Sequence, residues 1–220
     1  MKLALLVTAI VGTTLYFAFR ESVAATPMMW GSLFVCYLAL SAFALYRAYD
    51  DGTLRDVLRY RAGDFSLGFL MAAVIFAGAW GVKHLMFGEA SPKVAWVLRI
   101  AIAAGGTPRS SIALMAMIAG IGALEEIVWR GLVLGAVTEA LGSRRAWPVA
   151  ALLYALAHVP TAFSLADPEA GLNPLLAVAA LGAGLVWSFA ASMFGRLPPV
   201  MISHAVFSYF AFTVLLPRLG

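Results

Sequence analysis

Two adjacent glutamates, Glu125 and Glu126, interrupt an apolar run that otherwise has the length and composition of a membrane span. A charge at mid-bilayer costs on the order of 2.5–3.5 kcal/mol by insertion scales, so such residues face a cavity or one another. On an α-helix Glu126 and Arg130 stand four residues apart on one face and can form an ion pair. Glu125 points about 100° away from Glu126 and is not held in that way. One carboxylate is therefore left for chemistry, although the Glu126–Arg130 pair alone is also typical of a structural contact between helices.

Two histidines lie in later apolar segments, each with a polar residue one helical turn away. His158 follows Tyr154, and His204 precedes Ser208. A carboxylate with a neutral imidazole can activate a water molecule, and a second imidazole or a hydroxyl can donate to an oxyanion. Histidines in membrane helices also serve as hydrogen-bond partners for neighbouring helices, and this alternative stays open. The third histidine, His84, lies near the end of a span and is interpreted as structural.

Other catalytic chemistries have weaker support in the sequence. There is no G-x-S-x-G motif, so no serine nucleophile is indicated. The single cysteine, Cys36, forms no disulfide within the chain and is interpreted as an inert, buried thiol. Two histidines and a glutamate could bind zinc, but the H-E-x-x-H spacing of many zinc enzymes is absent. We expect neither a metal nor a cofactor.

The composition identifies an integral membrane protein. Of the 220 residues, 63% are hydrophobic and only 12% are charged, too few charges to cover a soluble domain of this size. The net charge of +4 is dispersed between apolar runs, which argues against nucleic-acid binding. We predict an all-α polytopic membrane protein that forms one domain over residues 1–220. Its spans lie near 3–19, 27–46, 65–86, 111–135, 147–164, 174–194 and 198–216.

Three segments differ in composition or length from an ordinary membrane span. The first apolar segment resembles a signal peptide in part, but its length and the Arg20-Glu21 pair favour a retained helix. The stretch from Leu54 to Arg61 has helical spacing and basic residues, which predicts a short interfacial helix. The apolar stretch around Arg99, residues 94–106, is too short to span and is predicted to lie in the interface or dip partway in.

The distribution of charge and the depth of the polar residues complete the topology. With seven spans and the amino terminus inside, the basic residues divide eight to six in favour of the inner side, which favours a cytoplasmic amino terminus. Counted from that side at 1.5 Å per residue, Glu125, His158 and His204 lie at depths of about 15, 16 and 9 Å. The similar depths predict that three helices bring these side chains to one cavity.

These residues resemble the three polar motifs of the CAAX protease and bacteriocin-processing family, the Ras-converting-enzyme-like type II CAAX endopeptidases. Glu125-Glu126-x-x-x-Arg130, Tyr154-x-x-x-His158 and His204-x-x-x-Ser208 are similar to the family patterns E-E-x-x-x-R, F-x-x-x-H and H-x-x-x-N/D, in the same order. The resemblance covers about residues 110–212. Tyr154 replaces the family's Phe and adds a hydroxyl, and Ser208 replaces its Asn or Asp with a shorter side chain.

The resemblance implies a metal-independent intramembrane protease with a glutamate-activated water. Glu125 would be the base with His158, while His204 and Ser208 would form the oxyanion hole. Glu126 and Arg130 would hold the site's shape or engage substrate, and Tyr154 is assigned to substrate binding. The implied partners are membrane lipids and a peptide or protein tail, with or without a lipid anchor. The implied location is a bacterial-type inner membrane.

Two other functions remain open at this stage. Glutamate and histidine chains in membranes also form the proton relays of transporters, although the sequence shows no repeated halves. A catalytically idle scaffold that only binds a peptide is the other alternative.

Overall fold

The protein is a bundle of α-helices. The computed structural model describes residues 1–86, 91–105 and 112–216; 80% of the chain is helical, and no β-strand occurs in these ranges. The α-helices are α1 (Lys2–Ala18), α2 (Pro27–Asp50), α3 (Leu54–Val57), α4 (Asp64–Met86), α5 (Val94–Ala103), α6 (Ile112–Glu126), α7 (Leu134–Leu141), α8 (Ser143–His158), α9 (Thr161–Ser164), α10 (Leu175–Phe194) and α11 (Pro198–Phe210). Two π-helical segments, Ile127–Val133 and Ala211–Leu215, follow α6 and α11.

Six helical stretches of the described residues are long and apolar enough to cross a membrane. They are Pro27–Asp50, Asp64–Leu85, Ile112–Leu141, Ser143–Ser164, Leu175–Phe194 and Pro198–Leu215. The remaining predicted span, 3–19, corresponds to α1, a shorter apolar helix of 17 residues. The all-α polytopic fold predicted from the sequence is confirmed.

The boundary between the fourth and fifth predicted spans was misplaced. The helical stretch that corresponds to the fourth predicted span, Ile112–Leu141, continues to Leu141 rather than to residue 135. The next helix, α8, begins at Ser143 rather than near 147. Gly142 separates them with a φ of 79°, a conformation that suits glycine and ends a helix. The predicted boundaries were placed where the apolar runs end. In the structure both helices extend beyond those ends and include the neighbouring polar and basic residues.

The segment from Leu54 to Arg61 is less helical than predicted. Only one turn, α3, forms, and Arg61 lies outside it. The reason is the start of α4, where the backbone N–H of Arg61 donates to the carboxylate of Asp64 over 2.9 Å. Asp64 is fully buried and is also paired with Arg196 in the turn between α10 and α11.

The stretch around Arg99 forms α5, a helix of only ten residues, in keeping with the prediction that it is too short to span. Arg99 pairs with Asp167 over 3.2 Å, and the amide nitrogen of Asn173 donates to the carbonyl of Trp96 over 2.9 Å. These contacts attach α5 to the loop between α9 and α10. Two of the six basic residues on the predicted outer side, Arg109 and Arg218, lie outside the described residues.

The helices that carry the polar residues pack on one another. The most extensive packing is of α8 against α10 and of α11 against α4 and α6. Glycines allow close approach at two of these contacts. A Cβ at Gly122 would lie 3.1 Å from the ring of His204, and one at Gly184 would lie 3.1 Å from the ring of Tyr154.

The π-helical segment Ile127–Val133 was not predicted, since the sequence suggested an uninterrupted α-helix. It begins directly after Glu126 and contains Arg130. At its end the backbone N–H of Leu134 donates to the carbonyl of Trp129, five residues back. Single π-turns inside α-helices are rare and often lie at functional sites.

Candidate active site

Glu126 is the centre of a buried ionic network that joins α6, the π-helical segment and α11. Its Oε1 accepts from Nη1 of Arg130 over 2.8 Å and makes a 2.7 Å contact with Nδ1 of His204. The Glu126 and Arg130 side chains are completely buried. A buried charge is stable only when it is paired, so this carboxylate is committed to holding the three groups together.

Aromatic rings enclose the cationic side of this network. The Arg130 guanidinium lies 4.7 Å from the ring centre of Tyr154 and 5.3 Å from that of Trp187. Trp187 also stacks on His204 with ring centres 4.1 Å apart, and its indole N–H donates to the hydroxyl of Ser203 over 2.9 Å. These contacts fix the plane of the His204 ring, which has little freedom to rotate.

Glu125, near the end of α6, belongs to a second network whose other members, Tyr154 and His158, lie on α8. Its Oε2 accepts a hydrogen bond of 2.9 Å from the hydroxyl of Tyr154, and the side chain is partly exposed. Nδ1 of His158 lies 2.8 Å from the backbone carbonyl of Tyr154. A carbonyl can only accept, so Nδ1 carries the proton, and Nε2 of the neutral ring is an acceptor. Tyr154 therefore holds Glu125 with its hydroxyl and His158 with its carbonyl.

The two networks meet at the consecutive carboxylates. His158 lies within electrostatic range of both Glu125 and His204. Nε2 of His158 makes no hydrogen bond to a described residue, so its lone pair is available. Tyr154 thus connects the Glu125 carboxylate with the His158 imidazole, and the adjacent Glu126 carries a second imidazole, that of His204. Such a set can take a proton from water and return it.

Two of the predicted site residues, Ser208 and Tyr154, differ in burial and in hydrogen bonding. Ser208 lies one turn beyond His204 and is partly buried, and its hydroxyl makes no hydrogen bond to the described residues. Tyr154, assigned from the sequence to substrate binding, is only 4% exposed and touches Glu125 instead. Contact between Tyr154 and substrate stays a prediction.

The remaining histidine and the cysteine lie outside the two networks. His84 is exposed, and its Nδ1 lies 2.9 Å from the carbonyl of Trp80. Cys36 is partly buried, and its sulfur accepts a 3.4 Å hydrogen bond from Thr14.

Some residues of the site could not be found from the sequence. Trp187 and Gly184 lie on α10, an apolar helix that carries no charged residue to attract notice. Gly122 had a weak signal, because it lies one turn before Glu126 and small residues mark close helix contacts in membranes.

No three histidine, cysteine, aspartate or glutamate side chains in residues 1–86, 91–105 and 112–216 are grouped as they would be around a metal ion. Oε1 of Glu126 is already bound to Arg130 and His204, and Oε2 of Glu125 accepts from Tyr154.

Residues 106–210 match the family model described as type II CAAX prenyl endopeptidase Rce1-like, a range that contains all three polar motifs. No curated protein and no solved structure matches the chain.

Proposed function

We propose that this chain, which belongs to the Rce1-like family of type II CAAX prenyl endopeptidases through residues 106–210, hydrolyses peptide bonds with a water activated by Glu125. The mechanism rests on one observation, which is that the two adjacent carboxylates have different kinds of partner. Glu126 is bound to Arg130 and His204, whereas Glu125 forms no ion pair with a residue that the structure describes and accepts a hydrogen bond from the Tyr154 hydroxyl. A carboxylate without a cationic partner is free to accept a proton.

The proposed reaction begins with the water. Oε1 of Glu125 accepts one proton as the water oxygen attacks the carbonyl carbon of the scissile bond, while Nε2 of His158 accepts a hydrogen bond from the other. The C–N bond of the resulting tetrahedral intermediate then breaks. Glu125 returns its proton to the leaving nitrogen, so the products are a carboxylic acid and an amine. Such proton transfers typically contribute about 10²–10⁴-fold in rate.

The negative charge of the intermediate requires donors, and His204 and Ser208 supply them in this proposal. The Nδ1–H of His204 is donated to Glu126. When the ring is protonated on both nitrogens, its Nε2–H is therefore the group that donates to the oxyanion. The stacking on Trp187 holds this donor in place, as preorganised stabilisation requires. The Ser208 hydroxyl, which has no partner among the described residues, is the second donor.

The proposed mechanism is metal-independent and uses no cofactor. Glu126 and Arg130 act by holding His204, and Tyr154 acts by holding Glu125 and His158. The substrate is a membrane-associated peptide or protein tail, in keeping with the family. We further propose a bacterial-type inner membrane, which the family resemblance implies, and a cytoplasmic amino terminus, which the charge distribution supports.

The experiment compares Glu125→Gln with Glu139→Gln in purified protein reconstituted in nanodiscs. Glu139 is exposed near the end of α7 and serves as the matched control. The probes are internally quenched peptides that end in a CAAX sequence, with and without a farnesyl group on the cysteine. We expect Glu125→Gln to lower turnover by about 10²–10⁴-fold, and Glu139→Gln to retain it.

Two results would overturn the proposal. Turnover by Glu125→Gln equal to that of the wild type would remove Glu125 from the chemistry. No cleavage of either peptide by the wild type would contradict the endopeptidase activity, and proton flux in liposomes would then favour a transporter.

A further inference from the structure

Tyr37, on α2, has a buried hydroxyl next to the site but outside the family-matched residues 106–210. The residue is 1% exposed, and its hydroxyl makes no hydrogen bond to the described residues. Buried polar atoms in folded proteins nearly always have a partner, which can be a protein group or an ordered water. The hydroxyl therefore calls for a functional explanation.

The packing of α2 against α6 places Tyr37 beside Glu125. The hydroxyl of Ser41 donates to the backbone carbonyl of Leu124 over 3.0 Å. Ser41 lies one helical turn after Tyr37, so the two side chains share one face of α2. That face lies against the part of α6 that carries Glu125. The Tyr37 hydroxyl has two polar neighbours here, the Glu125 carboxylate and the indole N–H of Trp129.

Trp129 also has a buried polar group that lacks a hydrogen-bond partner. It is 1% exposed, and its Nε1 is buried without a hydrogen-bond partner among the described residues. An indole N–H can only donate, a phenol can donate and accept, and an ionised carboxylate can only accept. The Tyr37 hydroxyl can therefore donate to the Glu125 carboxylate while it accepts from the Trp129 indole.

We propose that Tyr37 is a positioning residue for Glu125: its hydroxyl donates to the Glu125 carboxylate and accepts from the indole N–H of Trp129. This inference rests on the proposed function, in which Glu125 is the base. Glu125 is then held by α8 through Tyr154 and by α2 through Tyr37, so the amino-terminal half of the chain contributes to the site.

The kinetic test uses Tyr37→Phe, which removes the hydroxyl and keeps the ring. Tyr46→Phe is the matched control, because Tyr46 lies on the same helix and is 65% exposed. With the CAAX peptide as substrate, we expect Tyr37→Phe to lower kcat about tenfold, with KM and the melting temperature unchanged. The double variant with Tyr154→Phe should be non-additive, because both hydroxyls act on one carboxylate.

Unchanged turnover in Tyr37→Phe would overturn the proposal. So would a loss that tracks a lower melting temperature, or one that is additive with Tyr154→Phe, because either result indicates packing alone.

A spectroscopic readout separates this inference from the protease activity. The carboxyl infrared band of Glu125 is assigned as the band that disappears in Glu125→Gln. We expect that band to shift in Tyr37→Phe and to stay in place in Tyr46→Phe. A shift without any peptide cleavage by the wild type would leave the Tyr37 contact standing and remove the proposed function. An unshifted band would overturn the contact itself.

Discussion

The hydroxyl of Tyr154 donates to Oε2 of Glu125 over 2.9 Å, and this bond crosses from α8 to α6. The same tyrosine accepts from His158 with its backbone carbonyl, so one residue orients both members of the proposed base pair. Because Tyr154 is buried, we interpret it as a positioning residue rather than as a surface for substrate.

Removing that hydroxyl tests this interpretation. Tyr154→Phe should lower kcat about tenfold, because a hydrogen bond to a charged group contributes about 1.5 kcal/mol or more and each step of about 1.4 kcal/mol changes a rate tenfold. KM should change little, because the side chain is buried beneath the site. Steady-state kinetics on the CAAX peptide measures both. A rise in KM at constant kcat would instead return Tyr154 to substrate binding.

Arg130 should matter to the stability of the protein. Arg130→Ala leaves the Glu126 charge buried with one partner fewer, and breaking a buried pair in this way costs about 3–5 kcal/mol. The control is Arg47→Ala, whose partner Asp51 lies 3.9 Å away, since both side chains are solvent-accessible. Exposed pairs contribute about 0–1 kcal/mol. Chemical unfolding in mixed micelles measures the two, and equal costs would contradict the buried network.

Gly122 should be required for the position of His204. A Cβ at this position would lie 3.1 Å from Cδ2 of the ring, and the ring cannot retreat because Trp187 stacks on it. A catalytic group displaced by about 1 Å can lose 10²-fold in rate, so we expect Gly122→Ala to lower kcat roughly tenfold.

Gly120→Ala is the matched control for that variant, because a Cβ there would meet no atom within 4 Å. It should keep its turnover and gain some helix stability. Equal turnover in the two variants would show that His204 tolerates displacement.

The mechanism also predicts indifference to chelators. Glu125 and His158 activate the water without a metal ion in the proposal, so EDTA and phenanthroline should leave cleavage unchanged. Elemental analysis of the purified protein should find no stoichiometric zinc. Loss of activity on chelation with recovery on adding zinc would instead assign His158 and His204 as metal ligands.

The parts of this site that the sequence predicted are those set by local helical geometry. Glu126 and Arg130 pair at the predicted separation of four residues, and His158 meets Tyr154 at the same interval. The depth calculation predicted that the three helices share one cavity, because the known rise per residue of a helix gives the depth of each side chain in the membrane. It did not give rotation about each helix axis, so the bond from His204 to Glu126 rather than to Glu125 was not predicted.

The parts that were missed depend on contacts between distant segments. Trp187 and Tyr37 are aromatic residues in apolar helices, where burial among lipid or neighbours is the ordinary expectation. The π-helical segment Ile127–Val133 was missed because no proline or other breaker marks it in the sequence.

Ser208 offers the sharpest test of the oxyanion hole. Removing one such donor typically costs about 2.7–4 kcal/mol, or 10²–10³ in turnover. His204→Ala should have the larger effect, because Glu126 and Trp187 hold that ring in place. Ser208→Ala should cost less, since a rotatable hydroxyl without a fixed partner is poorly preorganised and water can replace it.

Ser208→Asn places the family's amide at the same helical position, one turn beyond His204, and should keep or raise turnover. The three variants are compared on the CAAX peptide in detergent, with melting temperatures to verify folding. If Ser208→Ala matches the wild type while Ser208→Asn abolishes cleavage, position 208 has a packing role, because only added bulk then affects the reaction. The second oxyanion donor would have to be sought elsewhere around His204.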